Sequence, residues 1–228
     1  MHFDSALEPA CVVRRVGRFT VEVERRGERV QAHVANSGRI RELLAPGSPA
    51  LLRPAANPDR QTAYDLVLVQ TNSAWVSADA SLPNALLREA LEAGRIAPLH
   101  GFSEIQSEVS VGGSRIDFVL TGLPGRCLVE VKSVTLVEDG VAIFPDAPSG
   151  RAVRHMLLLS DAVTAGDAAA IVFVVQRPDA AALRPNDALD PAFGLALRQA
   201  AAGVLVLAYR CNVSPEAIEL AHEIPVLL

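Results

Sequence analysis

Ser114-Arg115-Ile116-Asp117-Phe118-Val119-Leu120, a short turn, and Leu128-Val129-Glu130-Val131-Lys132-Ser133-Val134 form the stretch that decides the fold of this 228-residue chain. Both runs are apolar and β-branched enough to be core strands, and Gly122-Leu123-Pro124-Gly125 between them is a tight turn. Side chains two apart on a strand share a face, so Glu130 and Lys132 project together while Val129, Val131 and Ser133 face the other way. With the turn centred on Leu123-Pro124, residues whose numbers sum to 247 stand opposite each other, and Asp117 faces Glu130. Ionic groups inside a core hairpin are costly unless they meet one another or a metal ion.

Two carboxylates on such a hairpin are hard oxygen ligands for Mg²⁺ or Mn²⁺, an ion that keeps several waters and bridges to a phosphate. Lys132 is the only lysine in the protein, since 20 of its 21 basic residues are arginine. It supplies a compact ammonium where a planar guanidinium is a poor substitute. Asp117, Glu130 and Lys132 are therefore the candidate catalytic residues, with Asp117 and Glu130 as metal ligands. Glu89, 28 residues before Asp117 on a preceding helix, is either a third ligand or part of a solvated face beside Arg88. Glu108 is a weaker alternative, placed as an exposed edge residue. The spacing Asp, gap, Glu-x-Lys resembles the restriction-endonuclease-like, or PD-(D/E)XK, superfamily.

Outward from the hairpin, the pattern divides the chain at Ser81-Leu82-Pro83-Asn84. Residues 1–80 show short alternating runs at Phe19–Val23, Val30–Val34, Ala50–Leu52, Leu66–Val69 and Trp75–Ser77, with a helical insertion near Ile40 to Leu44. They predict a small OB-like β-barrel. Residues 81–228 begin with a helix marked by Leu86, Leu87, Ala90 and Leu91 and closed by Gly94. Strands Ile105–Val111, Ser114–Leu120 and Arg126–Leu136 follow. A helix from Ser149 to Thr164, a strand Ala170–Val175, a helix Pro191–Ala201 and a strand Val204–Tyr209 complete the order. This is an α/β (α+β) arrangement, a mixed sheet flanked by helices. Pro225 interrupts the apolar segment 222–226, which reads as an edge strand.

Half of the residues are apolar and 21% are charged, which excludes a disordered chain. No apolar span reaches membrane length and no export signal is visible, so a cytoplasmic protein with no membrane contact is expected. Cys11, Cys127 and Cys211 lack metal-finger spacing and read as buried thiols in a reducing compartment. The net charge of −5 hides an asymmetry: residues 10–62 hold ten arginines against five acids, which can steer a polyanion. Aromatics suited to stacking are scarce there, with Phe19, Tyr64 and Trp75 the main ones. Candidate DNA contacts are Arg18, Asn36 and Arg39 in the barrel half, and Arg115, Arg151, Arg154, His155 and Gln176 in the other. Asn36, Ser37, Gly38 and Arg39 lie between a strand and a short helix, where backbone N–H groups make either an anion site or a simple cap.

A longer set of motifs resembles the sugar fermentation stimulation protein A (SfsA) family across nearly the whole chain. It comprises Ala32-His33-Val34-Ala35-Asn36-Ser37-Gly38-Arg39, Tyr64–Val69, Ser114–Phe118, Val129–Leu136, Phe144-Pro145-Asp146-Ala147-Pro148, Phe173–Arg177 and Ala208–Cys211. Ala35 and Ser37 stand where the family often has proline and threonine. The resemblance implies an OB-like domain, a restriction-endonuclease-like domain, DNA binding and a link to sugar catabolism. Two functions fit: a Mg²⁺- or Mn²⁺-dependent nuclease acting on DNA, single-stranded or branched substrates included, and a non-catalytic DNA-binding regulator of maltose-type sugar catabolism. A sugar- or nucleotide-binding module ranks last. The oligomeric state is open, with a homodimer one option.

Overall fold

The computed structural model describes residues 1–3, 5–57, 59–71 and 74–228. In the N-terminal part, β1 (Glu8–Gly17), β2 (Thr20–Arg25), β3 (Glu28–His33), β4 (Pro49–Pro54), β5 (Tyr64–Thr71) and β6 (Ala74–Ser77) form one sheet in the order β3-β2-β1-β4-β5-β6. A parallel pairing of β3 with β5, Ala32 against Tyr64 and His33 against Asp65, closes five of these strands into an OB-like barrel. Inward-facing Val12, Val21, Val23, Ala32, Leu52, Leu66 and Val69 fill it, as strand alternation requires.

Two expectations for the barrel need correction. The first strand, β1, was not anticipated: only Ala10 and Val12 of it are buried, and Arg14-Arg15 break the apolar alternation. It nevertheless pairs with both β2 and β4 and is needed for closure. The expected helix at Ile40 to Leu44 is a single turn, in which the N–H groups of Leu43 and Leu44 both donate to the Ile40 carbonyl. Ile40, Leu43 and Leu44 plug the barrel with it.

The C-terminal part begins with α1 (Leu82–Glu92) and continues through β7 (Phe102–Val111), β8 (Ser114–Gly122) and β9 (Gly125–Val134). After β10 (Val137–Glu138) and β11 (Val141–Phe144) come α2 (Gly150–Thr164), β12 (Ala168–Val175), β13 (Ala182–Pro185), α3 (Pro191–Ala200), β14 (Leu205–Val213) and β15 (Ile218–Glu223). The main sheet runs β15-β14-β12-β9-β8-β7. Its centre is parallel, β9 to β12 to β14, because α2 and α3 make the crossovers, and its flanks are antiparallel hairpins. Helices α2 and α3 bury Met156, Leu159, Phe193 and Leu197 on one face of the sheet, and α1 buries Leu86, Leu87 and Ala90 on the other. A small sheet, β10-β11-β13, flanks this core. The expected edge strand at 222–226 is found in part: His222 and Glu223 end the edge strand β15, paired with Arg210 and Tyr209, and Val226 makes only an isolated bridge to Leu183.

The barrel rests on the mixed sheet. The Ser77 N–H donates to the Gln176 carbonyl at 3.1 Å, and Trp75 packs with Leu51, Val67, Leu68 and Val213 between the two. Phe3 donates through its N–H to Glu216, so the first residues of the chain lie along the C-terminal sheet. Among the described residues no helix is long and apolar enough to cross a membrane.

Candidate active site

The β8–β9 ladder runs from Gly122 opposite Gly125 to Phe118 opposite Val129, the register expected from the turn. There it opens. On the next strand out, Glu108 takes a left-handed φ of 56° opposite Asp117, and β8 turns over at this point. Ile116 packs on the α2 side of the sheet and Phe118 on the α1 side. Asp117 is thereby freed from strand pairing. Its Oδ2 accepts the Val131 N–H at 2.8 Å in place of a ladder bond, and its Oδ1 accepts from Asn84 Nδ2 at 3.0 Å.

Glu130 is buried on the α2 face. One oxygen, Oε1, contacts both Lys132 Nζ and His155 Nδ1, while Oε2 is buried with no hydrogen-bond partner among the described residues. A buried carboxylate oxygen left empty is a liability of about 1–3 kcal/mol unless something binds it, and the charge of this carboxylate also acts on Asp117. Burial raises the Asp117 pKa, and the Glu130 charge raises it further against the hydrogen bonds from Val131 and Asn84. Burial pushes Glu130 the same way, but His155 and Lys132 together outweigh it and hold this carboxyl below the ordinary range. His155 sits on α2, opened by Ser149 as its cap, and accepts from Arg151 Nε at its Nε2, 3.4 Å away. That arrangement calls for the tautomer protonated at Nδ1, the nitrogen facing Glu130.

His155, the residue that contacts Glu130, also lines a cavity of about 360 Å³ together with Gly113, Ser114, Arg115, Arg151 and Arg154. The hairpin turn of β7–β8 and the first turns of α2 thus bring three of the expected phosphate-binding arginines together.

Other candidates are placed elsewhere. Glu89, expected as a third ligand, forms ion pairs with the Met1 ammonium and Arg95, each at 3.2 Å, and Asn84, near the N-terminal end of the same helix, is the residue that hydrogen-bonds Asp117. Glu108 is exposed and faces Arg115. Gln176, expected as a DNA contact, is fully buried and donates to Ser133 Oγ as an internal strut. His155, 3% exposed, likewise serves Glu130 before it can serve DNA. Arg18 stacks on Phe19, and the Arg39 N–H donates to Asp146 across the seam between barrel and sheet. Asn36 is buried and caps its own loop by accepting from the Gly38 N–H. Cys127 and Cys211 are buried as expected, whereas Cys11 is exposed because it faces outward on β1.

Arg15 was not singled out from sequence. It donates to the carbonyls of Arg18, Asn36, Gly38 and Arg39 and so holds the Asn36–Arg39 loop. In sequence it was one arginine among ten in residues 10–62, with nothing to mark it.

The donor set suits a hard divalent cation. Each oxygen of Asp117 retains a lone pair beyond its hydrogen bond, and Glu130 Oε2 is free. Among the described residues no three acidic, His or Cys side chains gather as a cage. Two carboxylates with water and phosphate completing the shell is the usual arrangement for Mg²⁺, which is rarely enclosed by protein alone.

Comparison with known proteins places both halves. Residues 13–78 match a family model described as the SfsA N-terminal OB domain, and residues 81–217 one described as the sugar fermentation stimulation protein RE domain. A sugar fermentation stimulation protein homolog from Moorella thermoacetica is 46% identical over 223 residues, 96% of each chain. One from Geobacter sulfurreducens is 47% identical over 224 residues, covering 97% of this chain and 96% of its own. Among solved structures, Pyrococcus furiosus SfsA in complex with Ca²⁺ superposes with a TM-score of 0.90 at 30% identity, over 100% of this chain and 98% of that one.

Proposed function

The chain belongs to the sugar fermentation stimulation protein family, and we propose that it is a divalent-metal-dependent nuclease hydrolysing phosphodiester bonds in DNA. The observation that carries this reading is the buried, unpartnered Glu130 Oε2, on a carboxylate whose charge acts on Asp117, with the chain's one lysine on the same strand face. Asp117 and Glu130 would hold the ion. A Ca²⁺ complex of a relative with the same fold supports a divalent cation as the ligand.

A bound Mg²⁺ or Mn²⁺ supplies charge neutralisation at the phosphate and a water of lowered pKa. The protein's own groups do the rest. His155 and Lys132 fix Glu130 through Oε1, so that Oε2 keeps its orientation, and Asn84 with the Val131 N–H fixes Asp117. Lys132 Nζ carries positive charge at the site and stabilises the negative charge that grows on the phosphate oxygens. Arg115, Arg151 and Arg154 surround the cavity mouth and grip flanking phosphates.

A cleavage panel tests the reading: single-stranded, duplex and branched DNA and RNA, each with Mg²⁺, Mn²⁺ or chelator. Product is expected on DNA only when metal is present, and Asp117→Ala and Glu130→Ala each abolish it. Binding that falls steeply with salt, and no product with any metal, would instead identify a DNA-binding regulator.

A further inference from the structure

Two motifs that the metal site does not use meet at the seam between barrel and sheet. The loop Asn36-Ser37-Gly38 of the barrel and the segment Phe144–Ser149 line one pocket of about 300 Å³, together with Ser133–Leu136. The contact between them is intimate: Asp146 Oδ2 accepts the Arg39 N–H at 2.9 Å and lies 3.5 Å from the Ile40 nitrogen, and a Cβ on Gly38 would fall 2.5 Å from that oxygen. Arg15 clamps the same loop from behind. The pocket starts one residue beyond Lys132 on β9 and reaches Ser149, the cap of the helix that carries Arg151 and His155.

Its chemistry is that of a flat, partly polar ligand. Ile40, Val134, Ile143, Phe144 and Pro145 provide apolar walls, and Asp146, Asn36 and Thr135 provide the polar positions. Asp146 Oδ1 and Asn36 Nδ2 make no hydrogen bond among the described residues, leaving one acceptor and one donor on the lining. A carboxylate in the wall disfavours a bare phosphate and accepts from an exocyclic amine, the feature that cytosine, adenine and guanine carry and thymine lacks. Single-strand recognition commonly places an unstacked base in such an apolar pocket with a few polar groups at its edge.

We infer that the seam pocket is a base-binding subsite that holds one unpaired, amine-bearing nucleotide of the DNA strand engaged at the metal site. The choice of a nucleotide as occupant rests on the nuclease reading. The subsite makes the barrel part of substrate selection: a strand seated at Asp117 and Glu130 also meets the Asn36–Gly38 loop.

Titration calorimetry of the full chain in chelator tests this without metal chemistry, using dAMP, dCMP, dGMP, dTMP and deoxyribose 5-phosphate as probes. The three amine-bearing nucleotides should bind at least about tenfold more tightly than dTMP or the sugar phosphate, a preference worth about 1.4 kcal/mol. Ala147→Trp, which fills the pocket from the sheet side, should remove that binding. Ser37→Trp, on the exposed rim of the barrel loop, should do the same and serves if the first variant fails to fold. Asp146→Asn, which keeps the shape and the bond to Arg39, should erase the preference over dTMP. Equal binding of dTMP or deoxyribose 5-phosphate by the unmodified protein, no binding of any nucleotide, or unchanged binding in both tryptophan variants would overturn the subsite. Nucleotide binding lost in the tryptophan variants, with no cleavage by the unmodified protein under any metal, would sink the nuclease reading and leave the subsite standing.

Discussion

Asp117 and Glu130 are neighbouring carboxyls held in opposite electrostatic conditions. Burial, then the Glu130 charge, raises the Asp117 pKa, while the contacts from His155 and Lys132 outweigh burial at Glu130 and lower it. The sign for stability follows. The folded protein binds a proton at Asp117 more tightly than the unfolded chain does, so ionising Asp117 costs stability as pH rises from the unfolded carboxyl pKa through the folded one. Asp117→Asn removes that cost and keeps an acceptor for the Val131 N–H. Its melting temperature at pH 7 should exceed that of the unmodified protein, by about 2–4 °C for a relief of about 1 kcal/mol. The gain should vanish below the unfolded carboxyl pKa. Thermal scans across pH check this, and a gain independent of pH would contradict it. Glu130 behaves in the other direction, contributing stability that is present at neutral pH and lost as pH falls through its lowered pKa.

At the level of elements, the β8–β9 hairpin was legible because its alternation, its turn and its charged face all agree. The register from Gly122 to Phe118 followed from the turn, but the expected pairing of Asp117 with Glu130 did not: the ladder ends at Phe118 and Val129, and Asp117 instead accepts from the Val131 N–H. The opening of the ladder at Asp117 was not legible, because it depends on Glu108 of a different strand. Helix α1 shows the same limit. Helical period revealed its buried face but not which turn meets β8, so Glu89 was named where Asn84 makes the contact. The strand β1 escaped notice because Arg14-Arg15 break its alternation, and β10, β11 and β13 because they are two to four residues long and are made by pairing with one another. His155 was grouped with Arg151 and Arg154 as a candidate DNA contact that could also assist at the metal site, and only packing against β9 shows it buried on Glu130. The α1 assignment yields a direct contrast. Asn84→Ala should weaken Mn²⁺ binding about 10-fold or more by loosening Asp117, whereas Glu89→Ala should leave it unchanged. Paramagnetic titration with Mn²⁺ measures both, and the reverse order would restore Glu89 as a ligand.

On the scale of the whole molecule, barrel and sheet are tied together by buried polar groups as well as by apolar packing. Arg177, 2% exposed, donates to Asp179, to the Thr135 carbonyl at 3.0 Å and to Thr71 Oγ1 on the barrel at 3.3 Å. Arg177→Ala leaves those acceptors unpaired, and chemical denaturation should show a loss of about 2–4 kcal/mol; a change under about 0.5 kcal/mol would mean that the seam is held by Trp75 and its neighbours alone. Such a tie holds the Asn36–Arg39 loop in fixed relation to β9, so a strand entering the metal site meets both halves. The central claim remains that Asp117, Glu130 and Lys132 act together on a phosphodiester. Its most direct test is Mn²⁺-supported cleavage of the best DNA substrate by Lys132→Ala and Lys132→Arg, with Mn²⁺ binding measured in the same samples. Cleavage should fall at least about 100-fold in both variants while Mn²⁺ still binds. Undiminished cleavage by either variant would contradict the account.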